Sequence, residues 1–224
     1  MSIMATSTER LVRLLQLASP ALPVGAYSYS GGLEAAVEAG IVTDAASAER
    51  WIGDVLSHSV ARMDAPVLLR LYAAWRAGDA ESVARWNELI LASRETAELR
   101  AETVQMGYSL ARLLRELGVG EIEFEEIAYP TAFSLAAERW EIEPKAALEA
   151  YLWSWLENQA MAAVKSVPLG QTEAQRMLLS LGSRIHDIVG HAGSFADDEL
   201  CNFAPGLAIL SARHETQYSR LFRS

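Results

Sequence analysis

A single cysteine, Cys201, leaves this chain without an internal disulfide or a multi-cysteine metal site, and reads as a small structural side chain. Lysine is nearly absent too. Only Lys145 and Lys165 occur, so the positive charge is carried by arginine, which favours forked pairing with carboxylates. A formal net charge of −10 argues against a broad nucleic-acid face, because neutralising phosphates needs clustered cations. Apolar runs are cut short by Glu149, Glu157 and Lys165, well below the ~20 clean residues of a membrane span. The segment Met1 to Glu9 lacks a basic region followed by an apolar run, so no secretory leader is expected. These absences together predict a soluble, cytoplasmic chain.

Catalytic signatures are also missing. There is no Gly-x-x-x-x-Gly-Lys-Ser/Thr, and the glycines Gly25, Gly31 and Gly32 have neither a strand before them nor a lysine after them. They read as turn glycines rather than a phosphate cradle. No Gly-x-Ser-x-Gly elbow surrounds Ser28 or Ser30. His186 and His191 are five apart and diverge on a helix, so a metal site with His58 and His214 would need convergence that spacing does not provide. No catalytic residue, metal or cofactor is expected.

What the chain does have is helical periodicity. Thr6 and Glu9 form a capping box ahead of Leu11, Leu14, Leu15 and Ala18, and Pro20 and Pro23 stop that helix. Asp44 caps a helix carrying Trp51, Ile52, Val55 and Leu56; Asp64 and Pro66 start another that ends near Gly78; Asp79 opens a third. The longest helix is predicted over about 94–117, with Gly118 as its left-handed stop. Glu121 to Glu126 alternates acidic and apolar residues but stands alone, so it reads as an acidic loop. From about 146 to 164 the sequence is apolar nearly all round, which places that helix centrally. Thr172 with Gln175 offers a second capping box before Met177, Leu178, Leu181, Ile185 and Ile188, and a short helix over 207–212 precedes the tail. No linker divides the chain. The expectation is one all-α domain over 1–224, a multi-helix bundle with a central apolar helix and a docking tail, 213–224.

That tail concentrates Arg213, His214, Glu215, Tyr218, Ser219, Arg220, Phe222 and Arg223. Tyr218, Leu221 and Phe222 are spaced i, i+3, i+4, so a helical turn would gather them into one apolar stripe flanked by Arg220 and Arg223. Two readings stand: the tail docks on a partner that orders it, or it packs back on its own domain.

Four collinear segments carry a resemblance. They are Leu17 to Glu34 (LASPALPVGAYSYSGGLE), Ser93 to Arg100 (SRETAELR), Ala163 to Gln171 (AVKSVPLGQ), and the tail. In this order and spacing the chain resembles the UreF family of urease accessory proteins across essentially its whole length. It departs where relatives often carry Gly or Phe in place of Ala26 and Tyr27, and the stretches 121–126 and 190–198 match no family motif. The resemblance implies a dimerising, all-helical, non-catalytic adaptor. Its implied partners are UreD (UreH in some systems), the nickel-carrying GTPase UreG and, through the complex, apo-urease. An alternative role is a GTPase-activating regulator of UreG.

The matching positions supply the partner-binding candidates. Pro23 and Gly25 shape a loop bearing Tyr27, Ser28 and Tyr29, with the tyrosines either interface anchors or core residues. Glu34 closes that motif. Arg94 and Glu98 either face a partner or pair with each other at i, i+4. Lys165 either caps the last carbonyls of its helix or faces the GTPase, with Gln171 beyond it. Arg213, Arg220 and Arg223 can bond partner carboxylates bidentately.

Overall fold

A computed structural model describes residues 6–224. The reading of Met1 to Glu9 therefore falls partly on residues 1–5, outside the described residues. The described chain is all-α and contains no strand. It has eleven α-helices: α1 (Ser7–Ala18), α2 (Leu33–Glu38), α3 (Ala45–Val55), α4 (Asp64–Ala77), α5 (Ala80–Ala92), α6 (Ala97–Glu116), α7 (Tyr129–Arg139), α8 (Pro144–Ser166), α9 (Gln171–Gly182), α10 (Ile185–Ala192) and α11 (Pro205–His214). No described helix is long and apolar enough to cross a membrane.

Local chemistry sets the helix starts. Thr6 and Glu9 exchange hydrogen bonds as a capping box on α1. Asp44 accepts from Ser47 N, Asp79 from Ser82 N, and Thr96 from Leu99 N, each occupying an orphan donor of α3, α5 and α6. Gly78 and Gly118 stop α4 and α6 with φ of 68° and 66°.

The central apolar helix is α8, and it rather than α6 is the longest. It packs on α1, α2, α4, α7, α9 and α10, burying Leu148, Tyr151, Leu152, Leu156, Ala160 and Ala163. It is not buried all round, because Trp153 and Met161 are exposed. Tyr151 stacks edge-on with Phe133 of α7, centroids 5.3 Å apart, and Tyr129 completes the aromatic cluster.

Several details differ from the sequence reading. The helix α7 follows the acidic loop directly, a start that Pro130 favours but that periodicity over a nearly all-buried segment does not reveal. Asn87 fixes this junction, donating to Glu126 O at 2.9 Å and accepting from Ala128 N and Thr131 Oγ1. The stretch after Gly170 is two helices, broken at Ser183 and Arg184, and the first begins a residue before Thr172. The N-terminus of α9 is therefore closed by the Glu173 carboxylate on Gly170 N, not by Thr172 and Gln175. Beyond His214 the tail is not helical.

Candidate functional site

The loop between α1 and α2 turns on left-handed glycines: Gly25, Gly31 and Gly32 have φ of 77°, 57° and 80°. At Gly32 a Cβ would also meet Leu207 Cδ1 at 2.6 Å, so this loop needs glycine to seat against α11. The turn lifts Tyr27 into solvent, 69% exposed, and drives Tyr29 into the core at 4%. Tyr29 OH donates to Gln105 Oε1 of α6 at 2.6 Å, and burial pushes its phenol upward.

The tail lies in the cleft that this loop forms with α2 and α6. The Glu34 carboxylate of α2 accepts the backbone N–H groups of Leu221 and Phe222 at 2.7 and 2.9 Å. Arg223 N donates to Ser28 O at 2.8 Å, and the main-chain oxygen of Ser224 accepts from Ser30 N at 2.9 Å and from Ser30 Oγ. Ser224 Oγ donates to Glu102 of α6 at 2.8 Å. Phe222 is the one tail hydrophobe that is buried, with the Lys165 ammonium 5.4 Å from its ring centroid.

His214, at the end of α11, is fully buried between two carboxylates: Nδ1 lies 2.6 Å from Glu98 Oε2 and Nε2 lies 3.2 Å from Glu34 Oε2. Arg220 completes the cluster, donating to Glu98 Oε1 at 2.7 Å and back to Gln217 O and Glu215 O. Glu215 in turn accepts from Ala97 N in the first turn of α6.

The helical stripe over Tyr218, Leu221 and Phe222 does not form. The bent, non-helical backbone of the tail sends Phe222 inward and Leu221 outward, leaving Leu221 71% exposed and Tyr218 fully exposed. Pinning the backbone through Glu34 removes the i, i+4 geometry such a stripe requires.

Arg94 and Glu98 do not pair with each other. Arg94 makes a bidentate bond to buried Asp64 at 2.7 and 3.1 Å, and Tyr151 OH donates to the same carboxylate at 2.9 Å. Burial and the adjacent Asp64 charge hold the Tyr151 phenol well above its usual range. This group lines a cavity of about 300 Å³ together with Leu17, Met106, Trp155 and Glu102. Burial pushes the Glu102 carboxyl up to about 7.

The structure thus gathers Ser28, Tyr29, Glu34, Glu98, Lys165, His214, Glu215, Arg220, Phe222 and Arg223 in and around the tail, while Tyr27 projects into solvent from the loop. Arg213, Tyr218 and Ser219 lie on its outer side. Pro23 and Gln171 are exposed, and no hydrogen bond among the described residues joins either to the tail. Glu102 and Gln105 escaped the sequence reading, since each is a lone polar residue on an ordinary helical pattern, and Asp64 was read only as a helix start. Among the described residues no group of three or more His, Cys, Asp or Glu side chains is arranged to hold a metal ion.

The UreF family model matches residues 42–182. The urease accessory protein UreF of Azoarcus sp. (strain BH72) is 58% identical over 223 residues, covering 96% of this chain and 95% of that protein. That of Dechloromonas aromatica (strain RCB) is 54% identical, covering 96% and 98%. That of Methylobacillus flagellatus is 50% identical over 98% of this chain and all of that protein.

Proposed function

The chain belongs to the UreF family of urease accessory proteins, and from that premise we propose that it is a non-catalytic adaptor in urease maturation. It docks UreD through the tail surface and recruits the GTPase UreG, so that nickel is delivered to apo-urease within a cytoplasmic assembly built on a homodimer. One observation carries this reading. The tail is held by its backbone, Phe222 and His214, and this leaves Tyr218 and Leu221 facing solvent. Large apolar side chains displayed on a fixed backbone lose little entropy on docking, and tyrosine and arginine are the residues interfaces favour.

The test is a chain lacking residues 215–224. It retains the helical circular dichroism of the full chain but does not retain UreD in a pull-down. UreD retention equal to that of the full chain would sink the proposal. The same preparations separate the alternative role: GTP hydrolysis by isolated UreG stays unchanged when an adaptor is added and accelerates when a GTPase-activating regulator is added.

A further inference from the structure

The cavity between the α1–α2 loop, α6 and α8 carries more carboxyl groups than its cations match. Four carboxyls line it, Asp64, Glu95, Glu102 and Glu157, against two cations, Arg94 and Lys165. Arg94 is taken up by Asp64 through two bonds, and the Lys165 ammonium lies over the Phe222 ring. Among the described residues, neither Glu102 nor Glu157 forms an ion pair. Glu102 keeps one bond, from Ser224 Oγ at 2.8 Å, and burial outweighs the Ser224 bond and the Arg94 charge in pushing its carboxyl up to about 7.

Gln159 of α8 is an independent observation. It is 3% exposed and lines the same cavity, and among the described residues its side-chain amide has no hydrogen-bond partner. Asn202 Oδ1, in another part of the wall, is a second buried acceptor without a partner. Buried polar groups are ordinarily paired, so unpaired ones facing a cavity mark where a guest supplies the bond. Glu102 and Gln159 flank one corner. Ser224 joins Glu102 through its Oγ and Ser30 N through its main-chain oxygen, while Gln159 Nε2 lies 3.0 Å from where a Gly31 Cβ would stand. Leu17, Leu22, Val24, Met106 and Trp155 add an apolar wall.

We propose that this cavity binds a small organic cation: an amidinium, guanidinium or primary ammonium head set between Glu102 and Gln159, on a compact apolar body. The head donates N–H groups to the Glu102 carboxylate and to Gln159 Oε1, and its charge offsets the one that burial disfavours. The body takes the apolar wall. The space, about 300 Å³, suits such a molecule, since a dry cavity of about 150 Å³ already takes up benzene. A bare metal ion fits less well, because it needs several convergent ligands, and among the described residues no group of three or more His, Cys, Asp or Glu is arranged to hold one. An anion meets the surplus carboxyls, and a neutral guest leaves Glu102 unmatched.

The probe is benzamidine, an aromatic amidinium, with benzamide as the neutral molecule of the same shape. Isothermal titration of the full chain at pH 8, above the Glu102 titration, is expected to show one benzamidine site with Kd below about 1 mM. Benzamide binds at least about tenfold more weakly to the wild type, a comparison that needs no variant. Glu102→Gln, which keeps the shape and loses the charge, weakens benzamidine by at least about tenfold, and Gln159→Leu weakens it several-fold. No wild-type binding up to about 10 mM overturns the proposal, as does equal affinity for benzamide or an unchanged Kd in Glu102→Gln. Displacement of benzamidine by equimolar nickel chloride overturns it as well, since the site then belongs to a metal ion. No partner enters this experiment, so the cavity site and the UreD reading fail independently.

Discussion

The Glu34 carboxylate of α2 accepts the backbone N–H of Phe222 at 2.9 Å, joining positions 188 residues apart in the sequence. The same carboxylate takes Leu221 N and faces His214 Nε2, so three tail groups depend on one side chain that is itself buried. Glu34→Ala strands these donors without their acceptor in a largely buried cleft. Charge-assisted bonds of this kind are worth about 2–3 kcal/mol, and that loss is expected in the urea midpoint, together with rapid amide exchange across the tail.

Arg94 and Asp64 form the other buried ionic contact, and Tyr151 depends on it. Removing the guanidinium leaves an uncompensated carboxylate in the core, a change that typically costs about 3–5 kcal/mol. Arg94→Ala should therefore unfold at much lower urea than wild type. A shift of less than 1 kcal/mol would show that water reaches Asp64 freely.

How legible these contacts were in the sequence depends on their range. The caps at Thr6, Asp44 and Asp79 were legible because the donor, acceptor and helix all lie within four residues. The Arg94–Asp64 pair spans 30 positions, and local spacing pointed to Glu98 as the partner of Arg94 instead. Phe222 was legible as an apolar anchor, but its partition from Leu221 was not. A helical tail and this bent, non-helical one put different side chains inward, and Glu34 holds the latter from far away in the sequence. The helix α7 stayed hidden because a segment buried on every side has no amphipathic signal to read.

Gly107 of α6 is a case where local preference and packing oppose each other. Alanine favours an isolated helix over glycine by about 1 kcal/mol. Here a Cβ would lie 2.0 Å from Ile127 O and 2.7 Å from Ala128 C, which are backbone atoms that no rotamer change can move. Gly107→Ala is expected to destabilise by about 3 kcal/mol, and unchanged thermal stability would mean that α6 and α7 are not this close.

Glu102 predicts a pH dependence of global stability. Its carboxyl is raised from 4.5 to about 7 by burial, so the folded chain holds a proton there that the unfolded chain has released. A raised carboxyl contributes fully below about 4.5 and loses that contribution as pH climbs to about 7. Glu102→Gln, which cannot ionise, should show a flatter dependence of unfolding free energy on pH over that window. Parallel wild-type and variant profiles would contradict the assignment.

Tyr218 and Leu221 separate docking from folding, because both project from a seated tail into solvent. Neither side chain holds the tail: Leu221 is bonded through its backbone N–H, and the buried anchor is Phe222. The double variant Tyr218→Ala, Leu221→Ala should keep the wild-type urea midpoint within about 0.5 kcal/mol and the wild-type tail exchange. Its UreD affinity should fall by at least tenfold, since two large apolar contacts at an interface centre together exceed about 1.4 kcal/mol. Phe222→Ala gives the complementary pattern, losing stability and tail seating before any partner is added. Equal UreD affinity for the double variant and wild type would move the docking surface away from the tail.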